Sequence, residues 1–191
     1  MSSLKRDFEE LIERIRLGRE FSHASFEPIF YLVFRPEQML EVKRLTPAWQ
    51  AKLRNSGWDV GAFSIAEHVE DILQTAKLRH LWLEADQAQP TRWDKTNKAL
   101  ANALTGKDQL QKRLEAFLAD REGQENAIVL VTDLEALHPY LRIGAIEAQL
   151  QGKFHVPTVF LYPGVRTGKT KLKFLGFYPE DGNYRSVHVG G

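Results

Sequence analysis

Three runs of the chain narrow the choice of fold: Ile29-Phe30-Tyr31-Leu32-Val33-Phe34, Ala127-Ile128-Val129-Leu130-Val131 and Val156 to Tyr162 are short and almost wholly apolar. A strand with one wet face alternates apolar and polar residues, so a continuous apolar run marks a strand covered on both faces. Trp58 to Phe63 adds a further strand, numbered second in chain order. The stretches between these runs carry helical periodicity. Pro36 opens one, with Val42, Leu45, Trp49 and Leu53 on its apolar face, a possible kink at Pro47 and a stop at Asn55-Ser56-Gly57. Ser64-Ile65-Ala66-Glu67 is a capping box that starts another, bearing Val69, Ile72, Leu73 and Ala76. Leu4, Phe8, Leu11, Ile12 and Ile15 place an amphipathic helix over residues 3–17, ahead of Gly18. A parallel crossover needs a dozen or more residues, and these connections supply them. The expected fold is therefore α/β, a mostly parallel sheet flanked by helices, Rossmann-like or degenerate P-loop-like.

Three further segments are less regular. Residues 80–95, with Trp82, Pro90 and Trp93, show no clean period and predict an irregular excursion before a helical stretch. Thr105 with Asp108 is positioned to cap a helix carrying Leu110, Leu114, Phe117 and Leu118. Leu134, Leu137, Leu141 and Ala145 sit at helical spacing and predict one more helix. From residue 164 the pattern changes. Leu172 to Tyr178 and Tyr184 to Val189 are short strands bounded by Pro163-Gly164, Gly168 and Pro179-Glu180-Asp181-Gly182, so the chain closes on an antiparallel β meander over 164–191. A length of 191 residues suits one domain, with the helix at 1–18 as its N-terminal element.

Composition narrows the chemistry. With no cysteine there is no disulfide, Cys-based zinc site, Fe–S cluster or thiol nucleophile, and the expected compartment is the cytoplasm. The N-terminus carries charges where a signal peptide needs an apolar run, and no stretch approaches the length of a membrane span. Lys and Arg number 26 against 25 Asp and Glu, so attraction to nucleic acid would have to come from a local patch.

Gly164-Val165-Arg166-Thr167-Gly168-Lys169-Thr170 ends like a Walker A loop but is one residue short, and the alternating Lys171 to Phe177 follows where a helix must begin. A turn joining two strands is the better reading. Val129-Leu130-Val131-Thr132-Asp133 has the form of a Walker B strand, yet an Asp between a strand and a helical face is more economically a helix N-cap. The six histidines include no i, i+4 pair and no His-Glu-x-x-His, and no Gly-x-Ser-x-Gly elbow occurs. No catalytic, cofactor or metal site is expected. Lys169, Lys171 and Lys173 alternate, so they share one strand face, either as a phosphate or acidic-partner contact or as protection of an edge strand. Together with Tyr184 and Arg185 they form one candidate partner surface. Trp82 and Trp93 form the competing one.

Phe30-Tyr31-Leu32-Val33-Phe34-Arg35-Pro36, the segment Val129 to Tyr140, His155-Val156-Pro157-Thr158-Val159-Phe160-Leu161-Tyr162-Pro163-Gly164, the Gly168 turn with Leu172-Lys173-Phe174-Leu175-Gly176, and Asn183-Tyr184-Arg185 together resemble the BrxB family of bacteriophage exclusion (BREX) systems. The resemblance implies a non-enzymatic accessory or scaffold subunit of a phage-defence complex. It implies a PglZ-like partner of the alkaline-phosphatase superfamily and, through it, the PglX methyltransferase and the BrxC ATPase. A divergent nucleotide-binding ATPase using Gly168 to Thr170 with Asp133, and a subunit that binds DNA through the lysine stripe, stand as the alternatives.

Overall fold

The computed structural model describes residues 3–20, 27–106, 109–168, 171–182 and 186–191. In chain order these form α1 (Ser3–Glu20), β1 (Ile29–Phe34), a 3-10 turn (Pro36–Gln38), α2 (Met39–Asn55), β2 (Asp59–Ser64), α3 (Ile65–Gln74), α4 (Arg79–Ala88), α5 (Trp93–Thr105) and α6 (Gln109–Ala119). There follow β3 (Ala127–Thr132), a second 3-10 turn (Leu134–Leu137), α7 (Ile143–Gln149), β4 (Thr158–Arg166), β5 (Lys171–Phe174), β6 (Glu180–Gly182) and β7 (Val187–Gly190). The result is an α/β fold on a mostly parallel seven-stranded sheet, with the main path β2-β3-β4-β1-β7.

The apolar runs behave as their composition demands. Every residue of β1 is buried, and successive residues face opposite layers. Phe30, Leu32 and Phe34 join Ile128, Leu130, Val159, Leu161 and Val189 beneath α1 and α2. Ile29, Tyr31 and Val33 join Val129, Val131, Phe160 and Tyr162 beneath α3, α5, α6 and α7. On the first face Phe8 of α1 stacks on Trp49 of α2 at 4.5 Å. α2 stops as its sequence predicts: Gly57 takes φ +86°, its N–H bonds the Arg54 carbonyl and the Trp58 N–H bonds the Leu53 carbonyl, a Schellman closure that a residue with a Cβ makes only under strain.

Strand order is where sequence and space part. β1 does not neighbour β2; it lies between β4 and β7, parallel to both. β4 is nine residues long and serves three ladders. Its first half pairs in parallel with β1 and β3, and Gly164 to Arg166 pair antiparallel with β5. β5 forms an antiparallel pair as expected, but with β6 at residues 180–182, read from the sequence as a turn, while β7, the other expected meander strand, runs parallel with β1.

Three local expectations are corrected. Residues 79–88 and 93–105 are helices α4 and α5, not an irregular excursion; α4 has no buried residue, so no burial period was there to be read. Thr105 does not cap α6. It ends α5 and its hydroxyl donates to the Ala101 carbonyl, while Asp108 lies outside the described residues. The spacing from Leu134 to Ala145 is split by Pro139 into a 3-10 turn and the short α7, because proline gives no N–H to a continuing helix.

Leu130, fully buried at the middle of the sheet, is expected to cost roughly 2–5 kcal/mol when replaced by alanine. Leu40→Ala on the exposed side of α2 is expected to stay within about 0.5 kcal/mol. Urea unfolding of the two variants checks the contrast.

Candidate functional site

In open parallel sheets ligands and partners meet the chain beyond the carboxyl ends of the strands, where loops leave the scaffold. That edge is where this molecule concentrates unusual backbone and charge. Asp133, directly after β3, has φ 59° and ψ 37°, a left-handed conformation that costs a side chain of this size. Ser64 and Thr132 are the last register pair of β2 and β3, and both hydroxyls donate to Asp133 Oδ2, at 2.8 and 2.7 Å. Lys43 of α2 donates from Nζ to Asp133 Oδ1 at 2.7 Å and lies 2.7 Å from Glu135 Oε1. Asp133 therefore does not act as the expected N-cap: it makes no side-chain cap hydrogen bond to the turn it precedes, because its carboxylate is turned back towards the strand ends. Burial alone would push the Asp133 carboxyl up, but the hydrogen bonds from Lys43, Thr132 and Ser64 outweigh it and hold the group below its ordinary value. Burial would likewise lower Lys43, and its two carboxylates hold it above the usual ammonium range.

This cluster walls a hollow of about 250 Å³ with Phe34, Val42, Pro47 and Leu161. Pro47 sits inside α2 and has no N–H to give the Lys43 carbonyl, which loosens the helix beside the hollow. Chemically the arrangement is a closed ion triad on an apolar cup. It holds two strand ends and a helix together; among the described residues no group of His, Cys, Asp or Glu has the arrangement of a metal site.

A second hollow, of about 260 Å³, opens on the other face of the sheet between α7, β6 and the strands, with Tyr31, Glu147, Tyr162 and Asp181 on its walls. The Tyr31 hydroxyl donates to Glu147 of α7, and its ring meets Phe160, Tyr162 and His188. Burial drives the Tyr162 phenol well above its ordinary range. His188 on β7, 5% exposed, bonds Ser186 through Nε2, while Nδ1 has no partner among the described residues. Burial, with help from Arg166, lowers it to about 4, so its ring is neutral at pH 7. Sequence reading missed Lys43, Glu147 and His188. A tyrosine in each of two buried strands and a histidine in a third were the available signals.

The candidate partner residues do not gather into one surface. Lys171 and Lys173 do share a face of β5, opposite the buried Leu172 and Phe174. β5 is not an edge, however, because β6 covers it, setting Glu180 opposite Lys173 and 3.4 Å from Lys171. The stripe is thus partly charge-balanced. Lys169, Tyr184 and Arg185 lie outside the described residues. Tyr162 is buried and belongs to the second hollow. Trp82 and Trp93 stand on α4 and α5, away from β5. Gly168 belongs to a connection between antiparallel strands, closed by the Thr167 N–H on the Lys171 carbonyl, so a strand follows the Gly-Lys-Thr segment where a phosphate loop needs a helix. Beside this meander, Leu175 is also left-handed at φ 50°, and the turn it begins projects Phe177, 63% exposed, next to His138, whose Nδ1 is 2.5 Å from the Tyr178 hydroxyl.

Asp133→Asn is expected to lower stability by about 1–3 kcal/mol at pH 7. Because the folded-state carboxyl is held low, that contribution is present above the ordinary aspartate value near 3.9 and is lost as pH falls through the folded value. The gap between wild type and variant in urea midpoints should therefore close in acid. His188 has the same acid sense from the opposite charge. Between about 6.5, the ordinary histidine value, and about 4 the unfolded chain binds a proton that the folded chain refuses, so stability is lost as pH falls through this window. His188→Phe should flatten the decline between pH 6.5 and 4.5.

Among known proteins, the profile of one family, described as BREX protein BrxB, matches residues 62–189, more than half of the chain. No curated protein matches, and no solved structure does. The match begins inside β2 and leaves α1, β1 and α2 outside it.

Proposed function

The chain belongs to the BrxB family and is thus a component of a BREX phage-defence system; on that premise we propose that it serves there as a non-enzymatic adaptor for a PglZ-like protein. Through that contact it would join the PglX methyltransferase and the BrxC ATPase in a larger complex. The observation that carries the reading is the appended β5–β6 ladder. It extends the sheet past the parallel strands and presents Lys171, Tyr178 and the exposed Phe177, and its Asp181 pairs with the half-buried Arg142 at the start of α7. Aromatic and arginine side chains on a backbone fixed by two hydrogen-bonded strands are the usual anchors of protein interfaces, since they combine apolar area with directional bonds. The partner surface proposed here is residues 165–188.

Support also comes from what the rival chemistry would require. An ATPase needs a phosphate-wrapping loop and an acid free to serve Mg²⁺, and here the Gly168 segment joins two strands while Asp133 is engaged by Lys43, Ser64 and Thr132. DNA binding needs unbalanced cations, and Lys171 faces Glu180. Among the described residues no helix is long and apolar enough to cross a membrane.

Co-purification from cells carrying the whole defence island is the test. Lys171→Glu/Lys173→Glu is expected to release the PglZ-like protein and Trp82→Ala/Trp93→Ala to retain it, with circular dichroism unchanged in both. The reverse pattern would overturn the 165–188 surface. Titration with ATP and Mg²⁺ is expected to show no saturable heat, and binding abolished by Lys169→Ala would replace the adaptor with the ATPase. Retardation of duplex DNA at ~50 mM salt, where phosphate contacts are strongest, would favour the DNA-binding subunit.

A further inference from the structure

The helix α4 is an anomaly of packing. It has ten residues and none is buried, although a helix below about 12–15 residues does not persist in water without tertiary support. α5 supplies some, through Trp82, which is half-buried, and through the Thr96 hydroxyl that donates to Asp86. Part of the remaining surface is apolar. Leu78, Leu81 and Ala85 fall at i, i+3 and i+7, a single stripe, with Leu78 56% and Leu81 48% exposed, and Trp93 at the start of α5 is 64% exposed beside the same helical hairpin.

The charges on α4 say what covers that stripe. Lys77 stands just ahead of it and Arg79 and His80 in its first turn, while Glu84 and Asp86 lie towards its end. This order runs against the helix dipole, which favours acids at the start and bases at the end. Among the described residues Lys77, Arg79, His80 and Glu84 form no ion pair. An antiparallel neighbour of identical sequence removes the penalty, since each basic start then lies beside an acidic end and the two dipoles oppose. Lys77 and Glu84 are seven residues apart, so they flank the leucine stripe along one edge, and a two-fold axis through the stripe brings Lys77 to Glu84 of the partner subunit twice over.

We propose that the exposed Leu78–Leu81 stripe of α4 is a homodimer interface, with a second copy of this chain packed antiparallel across a two-fold axis and locked in register by reciprocal Lys77–Glu84 pairs. α4 is about 15 Å long, which places the contact at the small end of the interface range, below about 1,200 Å² in total. The dimer is therefore concentration-dependent and leaves the β5–β6 surface free for another protein.

Sedimentation and light scattering on the full chain across a concentration series test this. The expected mass rises from one copy towards two. Leu81→Glu should hold the chain at one copy with unchanged circular dichroism, Lys77→Glu should weaken association about tenfold or more, and Lys77→Glu/Glu84→Lys should restore it. The charge pair keeps the test independent of any effect of Leu81→Glu on α4 itself. A chain that stays single at every concentration overturns the proposal, as does a dimer indifferent to Leu81→Glu or one that the double reversal fails to recover. A chain that is single alone but loses its PglZ-like partner on Leu81→Glu places a different protein on this face, overturning the second copy while leaving the adaptor reading intact.

Discussion

The whole architecture turns on the Pro163-Gly164 step inside β4. Up to Tyr162 the strand lies in a parallel ladder, buried on both faces and flanked by β1 and β3. Past it, the same strand pairs antiparallel with β5. Proline has no N–H to give a ladder, so it marks the point where parallel pairing stops, and its carbonyl accepts the Leu175 N–H instead. Glycine makes the change possible: a Cβ at Gly164 would lie 2.5 Å from both the Lys173 carbonyl oxygen and the Tyr162 ring, inside any tolerable contact. One dipeptide thus lets a single strand be sheet centre and meander edge, and it ties the second hollow, which Tyr162 lines, to the surface proposed for the partner.

At the carboxyl edge the molecule places left-handed backbone at two non-glycine residues, Asp133 and Leu175. Such conformations persist only where the surroundings over-determine them. Asp133 has three donors to hold it, and Leu175 donates its N–H to the Pro163 carbonyl of β4. A rigid projection such as Phe177 on a rim fixed in this way loses little conformational entropy on docking. The same rigidity distinguishes this edge from that of a nucleotide-binding sheet, where the acid after the strand must stay available to a metal.

What sequence made legible was whatever burial writes into composition. β1, β3 and β4 were readable because each is covered on both faces, and α1, α2 and α3 because each buries one stripe. The limits follow from the same rule. α4 buries nothing, so Trp82 and Trp93 looked irregular though they lie in helices. Helical spacing from Leu134 to Ala145 was genuine, but spacing records which residues face the core and is blind to a proline that redirects the backbone between them. Asp133 was read as a cap because its position fits one, and its true partner Lys43 stands 90 residues away, beyond any local pattern. His188 and Glu147 were invisible for a similar reason: each gains meaning only beside Tyr31, which arrives from the opposite end of the chain.

The place of β1 between β4 and β7 carries a consequence for how the protein is made. This strand is made well before both strands that must flank it, β4 at residues 158–166 and β7 at residues 187–190. At about 5–20 residues per second, six consecutive apolar residues wait on the order of ten to thirty seconds with neither edge satisfied. α1 and α2 can shield one face in that interval, and nothing can yet pair the edges. The edges of β1 therefore stay unpaired until β4 and β7 have been made, and a truncated product lacking β7 would leave β1 as an open edge strand of the sheet.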